Sequence, residues 1–153
     1  LIQCTIYFRY YLNQALKASG LGDQFLDNLQ IWRDQMALGL TTWAEMPEPS
    51  RSDCHAWGAS PNIEFYRILL GIDSDAPGFR KIRIAPSLGK LKEVSGTIPH
   101  PLGSVTAAYK LNERGEGTAR LVLPEGTTGI FIWNGKEIPL KPGEQVISLS
   151  LRH

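Results

Sequence analysis

At 153 residues, with 42% hydrophobic side chains and a net charge of +1, the chain has room for one ordinary domain or two small units sharing an interface. Its lysines and arginines are scattered, which excludes nucleic acid and an anionic membrane surface as electrostatic partners. No apolar run approaches the roughly 20 residues needed to cross a bilayer, and Cys4 and Cys54 stand at no metal-ligand spacing and read as free thiols.

Residues 2–19 carry Ile6, Tyr7, Tyr10, Tyr11, Leu12, Ala15 and Leu16 with no proline or glycine before Gly20, which predicts a helix buried on more than one side, its tyrosines in the core. The chain opens on Leu1, in mid-helix and without methionine. Leu1-Ile2-Gln3-Cys4 has no charged segment ahead of it as a signal peptide would, so the expectation is a soluble C-terminal piece of a longer polypeptide, with no compartment legible. From Asp23 to about Leu38, Phe25, Leu29, Trp32 and Met36 form one stripe at helical spacing, a second helix antiparallel to the first through Gly20-Leu21-Gly22. Ser60-Pro61 is a good helix start, and Ile63, Phe65, Tyr66, Leu69 and Leu70 continue the pattern to Gly71. Helices paired antiparallel with a functional loop between members describe an αα-hairpin array such as a helical barrel, which three helices cannot close by themselves.

Helical periodicity stops at the turn-rich Asp73-Ser74-Asp75-Ala76-Pro77-Gly78. Short alternating runs follow at 81–84, 94–98, 105–109, 119–123, 129–133 and 145–149, each bounded by glycine, proline or asparagine. Asn134-Gly135 is a strong two-residue hairpin signal and Asn112-Glu113-Arg114-Gly115 another reversal, so the pattern predicts a small antiparallel β-sandwich. The reading is therefore an α+β chain, with residues 1–76 helical and residues 77–153 a β-sandwich domain.

Between the second and third helices lies the densest chemistry, Thr41 to Trp57. Pro47 and Pro49 exclude a regular helix or central strand there. Carboxylates beside tryptophan faces on an anchored loop suit a carbohydrate site, because glycoside hydrolysis needs one carboxylic acid to protonate the leaving oxygen and a second carboxylate to activate water or attack carbon. Glu45, at the loop's rooted end after Trp43, is the candidate for one of them; Glu48, between prolines, reads as solvated. Arg51 and Asp53 are expected to pair with each other. His55 suits a sugar hydroxyl or an ordinary satisfied polar position, and Trp43 and Trp57 suit either pyranose stacking or core packing. No metal-ligand spacing, phosphate-binding glycine loop or serine triad is present, so no cofactor is expected.

Thr-Thr-Trp-Ala-Glu (41–45), Ser-Asp-Cys-His-Ala-Trp (52–57), Gly-Ile (71–72), Pro-Gly-Phe (77–79), Ile-Ala-Pro (84–86) and Pro-His-Pro-Leu-Gly (99–103) resemble, in this order, the C-terminal part of bacterial alpha-L-rhamnosidases. The resemblance implies the terminal helices of an (α/α)6 barrel followed by a small β-sandwich, and cleavage of terminal alpha-L-rhamnosyl residues with inversion. It places the general base on Glu45 and a histidine lining the sugar pocket on His55, with Trp43 and Trp57 as candidate stacking platforms. The order here is Trp-Ala-Glu where many members have Trp-Glu. The family's general acid lies upstream and has no counterpart in this sequence, so the implied partners are rhamnoside substrates and the N-terminal part of the same polypeptide. The alternatives are a non-catalytic carbohydrate-binding or structural module, and an (α/α)-barrel glycosidase acting on another sugar.

Overall fold

The computed structural model describes residues 4–150 and divides into two compact units, Leu1–Phe65 and Tyr66–His153. The first unit is helical. Helix α1 (Ile6–Ala18) begins where the Thr5 side chain accepts a hydrogen bond from the Phe8 amide and ends before Gly20, whose φ of 77° continues no helix. Residues 2 and 3 of the expected helix lie outside the described residues. Its buried positions are Ile6 and Asn13, seven residues and nearly two turns apart, so the contact face is a narrow stripe, and Tyr7, Phe8 and Tyr11 on the flank are exposed. The expectation of a helix buried on several sides, with these tyrosines in the core, is corrected accordingly.

The expected second helix is broken. Two short 3-10 turns, Gly22–Gln24 and Asp27–Leu29, precede α2 (Gln30–Ala37). The Asn28 side chain donates back to the Gln24 carbonyl, the local backbone competition that makes asparagine a poor helix-interior residue. Phe25, Leu29 and Trp32 of the expected stripe are buried, whereas Met36 is exposed and the polar Gln35 is buried instead. Helix α3 (Pro61–Glu64) starts with proline in its first turn and runs on into a π-helical turn, Phe65–Leu69, which straddles the division between the units.

The second unit holds eight strands: β1 (Ile72–Ser74), β2 (Lys81–Ile84), β3 (Glu93–His100), β4 (Gly103–Leu111), β5 (Gly117–Leu123), β6 (Thr128–Trp133), β7 (Lys136–Leu140) and β8 (Gly143–Leu149). They form two four-stranded sheets, ordered β1-β2-β6-β7 and β3-β4-β5-β8. Alternation dictates the inner faces: Ile82, Ile84 and Phe131 of one sheet are fully buried, as are Val105, Ala107, Ala119 and Leu121 of the other. Tyr109 and Phe131 stack across the two at 6.5 Å between ring centroids. Asn134 and Gly135, with φ of 53° and 73°, supply the tight β6–β7 hairpin turn. One pairing departs from the all-antiparallel expectation: β2 and β6 run parallel.

The end of the π turn is tied into this core. Leu70 is buried against Gly96, the Tyr109 hydroxyl donates to the Leu70 carbonyl at 2.8 Å, and Ser87 donates to Ile68. At Gly71, φ is 75° and an added Cβ would lie 2.2 Å from the Ala85 carbonyl carbon, so only glycine lets the two backbones approach. The sequence reading placed its boundary near Pro77; here the segment from Tyr66 onward is grouped with the sandwich.

Candidate functional site

The loop between α2 and α3 is two short extended legs joined by a tip. Residues 42–45 and 52–55 pair through the Thr42 hydroxyl donating to the Asp53 carbonyl (2.5 Å), the His55 amide to the Trp43 carbonyl (2.8 Å) and the Glu45 amide to the Ser52 carbonyl (2.9 Å). The tip carries Pro47, Glu48 and Pro49, with a cis Glu48–Pro49 bond. Helix α2 holds the first leg and the 3-10 turn Ala56–Ala59 that follows the second: Gln35 Oε1 accepts from the Ala44 amide at 3.0 Å, and Trp32 Nε1 donates to the Gly58 carbonyl at 2.7 Å, both in buried surroundings. Gly58 lies so close to the first leg that a Cβ there would sit 2.6 Å from the Trp43 Cβ. The loop is therefore a pinned platform, the kind of support that holds a reacting group in one orientation.

Glu45 stands at the end of the first leg, where it meets the tip, with its side chain 11% exposed. Arg51, 74% exposed, reaches back from the tip: its Nε donates to Glu45 Oε2 at 3.1 Å and its Nη2 bonds Oε1. This two-point fork fixes the carboxylate plane. The expected Arg51–Asp53 pair is thus replaced by Arg51–Glu45; Asp53 is exposed and enters the loop through its carbonyl. Glu48 is also exposed, its carboxylate accepting from the Ser50 amide.

His55 and Trp57 come together, their ring centroids 4.0 Å apart, and His55 Nδ1 is buried with no hydrogen-bond partner among the described residues. His55 sits opposite Trp43 in the paired legs, one rung from Glu45. Trp43 turns elsewhere. With Leu29, Trp32, Met36, Pro61 and Phe65 it lines an apolar cavity of about 340 Å³ between α2 and α3, which Glu45, His55 and Trp57 do not line. Sequence reasoning missed Arg51's attachment and the buried Gln35, whose only signal was a polar residue one position from Met36 on the expected apolar stripe. Among the described residues no cluster of three His, Cys, Asp or Glu side chains suits a metal ion.

A helical unit carrying a pinned acidic loop, followed by a two-sheet sandwich, defines a two-part α+β chain. The sequence profile of the bacterial alpha-L-rhamnosidase C-terminal domain matches residues 71–147, half of the chain, and the chain belongs to that family. No curated protein matches it. Among solved structures, alpha-L-rhamnosidase from Aspergillus terreus superposes with a TM-score of 0.81 at 19% identity, covering 92% of this chain and 18% of that one. The enzyme from Dictyoglumus thermophilum gives 0.71 at 21% identity, covering 82% and 15%, and that from Streptomyces avermitilis, solved with L-rhamnose, gives 0.68 at 17%, covering 78% and 15%. At these identities the likeness establishes the fold, and the chain spans less than a fifth of each of those proteins. Its family context is that of glycoside hydrolases.

Proposed function

We propose that this chain is the C-terminal portion of an inverting glycoside hydrolase that removes terminal alpha-L-rhamnosyl residues, in which Glu45 is the general base. Residues 1–76 supply the last helices and catalytic loop of an (α/α) barrel, and residues 77–153 its closing sandwich. The observation that carries this reading is Glu45 itself, a carboxylate nearly withdrawn from solvent on a loop pinned by Gln35 and Trp32, at the position the family motif assigns to the base. A carboxylate has about four lone-pair sites, and Arg51 occupies one on each oxygen, leaving the others to receive a proton from water as it attacks the anomeric carbon.

The general acid comes from upstream residues of the same polypeptide, as do the helices that complete the barrel. The apolar cavity lined by Trp43, Met36 and Phe65 suits a side chain from such a helix, so Trp43 packs while His55, beside Trp57, binds sugar hydroxyls. The test is hydrolysis of an aryl glycoside panel, including the alpha-L-rhamnoside, by the longest natural polypeptide containing this chain. Glu45→Gln is expected to lose nearly all turnover while still binding sugar. A variant that keeps more than a few per cent of the rate removes Glu45 from the mechanism and makes Arg51–Glu45 a structural ion pair. Turnover confined to another sugar keeps Glu45 and discards rhamnose.

A further inference from the structure

Pinning the loop does not by itself aim Glu45. Gln35 holds the Ala44 amide, and the Glu45 amide donates to the Ser52 carbonyl at 2.9 Å, so the backbone around residue 45 is fixed. The carboxylate hangs three side-chain torsions beyond that backbone, and the last of them is broad and roughly two-fold in glutamate. Among the described residues, every hydrogen bond to its oxygens comes from Arg51: Nε donates to Oε2 at 3.1 Å and Nη2 to Oε1.

Arg51 is itself placed. It precedes Ser52, whose carbonyl receives the Glu45 amide, and Ser50 closes the turn around it. The Ser50 hydroxyl donates to the Ser52 carbonyl at 2.9 Å and accepts from the Ser52 amide at 3.3 Å, while the Ser50 amide donates to the Glu48 carboxylate at 3.2 Å. The tip is thus built to present one guanidinium to one carboxylate.

A simple ion pair asks only for charge; this contact also asks for shape. Two parallel donors, one on each carboxylate oxygen, hold the plane of the group as well as its position, which a lysine ammonium cannot do. They fill the open end of the carboxylate, so a water that yields its proton to Glu45 meets an oxygen from its flank. Orientation of this kind matters for rate, since a misplacement of about 1 Å can cost roughly a hundredfold.

We infer that Arg51 is the positioning residue of the general base, acting on the reaction only through the orientation it gives Glu45. This rests on the functional reading above and deepens it. The test uses the longest natural polypeptide containing this chain and an aryl alpha-L-rhamnoside, with kcat, KM and Tm measured for the parent, Arg51→Met and Arg51→Lys. Arg51→Met is expected to lower kcat about a hundredfold with little change in KM. Its Tm is expected to match the parent's, because the Gln35 and Trp32 bonds that hold the loop are untouched. Arg51→Lys keeps the charge without the fork and is expected to recover only part of the lost kcat. A parent-like kcat in either variant overturns the inference, as does a fall in kcat matched by a fall in Tm, which makes Arg51 a brace of the loop. Glu45→Gln is assayed alongside. If it too turns over the substrate, the functional reading has failed, whereas an inactive Glu45→Gln beside a fully active Arg51→Met sinks the positioning role alone.

Discussion

Removing one oxygen from Tyr109 tests how the sandwich holds the chain that enters it. Tyr109 is 1% exposed, and its ring stacks on Phe131 while its hydroxyl donates to the Leu70 carbonyl. Burial pushes the phenol far above its ordinary pKa, which favours the neutral form that donates to Leu70. Tyr109→Phe keeps the ring and its packing and deletes only the O–H. Leu70 is itself buried, so its carbonyl loses this donor without gaining water, a loss of about 1–3 kcal/mol. In a domain of about this size each kcal/mol lowers Tm by roughly 4–8 °C. Scanning calorimetry of the intact polypeptide should therefore show the sandwich transition falling by at least about 4 °C, with a smaller drop for Tyr66→Phe. A loss below about 0.5 kcal/mol would mean that the hydroxyl contributes nothing net and that Leu70 is held by packing alone.

Gln35→Met removes the acceptor that holds the Ala44 amide beside Glu45, and under the proposed function kcat toward a rhamnoside should fall roughly ten- to a hundredfold with a lesser change in KM and an unchanged Tm; the same fall with a lowered Tm would point to general unfolding. Gly71→Ala, forced into φ of 75° against the Ala85 backbone, should destabilise by roughly 3 kcal/mol or more, whereas Gly135→Ala, with open space around it, should cost only the backbone strain of about 1–2 kcal/mol. Glu144 is held below the ordinary carboxylate range by its hydrogen bonds from Arg120. A depressed folded pKa gives stability that is present above the ordinary value of about 4 and lost as pH falls through the lowered one. Glu144→Gln should thus flatten the acid limb of a Tm-against-pH curve, modestly because the pair is exposed. An acid limb as steep as the parent's would assign that pH dependence to other groups.

What the sequence disclosed follows from which forces are local. Strand β2 appears in the structure over the residues the alternation marked, because Lys81-Ile82-Arg83-Ile84 must turn both isoleucines to one side. The Asn134-Gly135 turn was equally legible, since positive φ selects those residues. Strand β1 is three residues long, too short for any period, and β7 contains Pro139, tolerable only because β7 lies at a sheet edge. The aromatic face of α1 was hidden for a different reason: spacing shows that Tyr7 and Tyr11 share a side, but whether that side meets core or solvent is decided by which positions the rest of the chain buries, here Ile6 and Asn13. Likewise Arg51 and Asp53 are two apart in sequence, yet the folded-back tip brings Arg51 to Glu45.

The parallel pairing of β2 with β6 sets an order of events in folding. Strands β3, β4 and β5 are linked by short reversals, and β5 then takes β8, so that sheet assembles largely from near neighbours. Lys81 meets Thr128 only after β3, β4 and β5 have been made, and a parallel pair has no tight turn to bring its ends together. During synthesis β1 and β2 can pair with each other, but the far edge of β2 must wait open until β6 emerges. The edge of β2 is then among the last parts of the sandwich to be covered, and a chain truncated before Thr128 would leave it open.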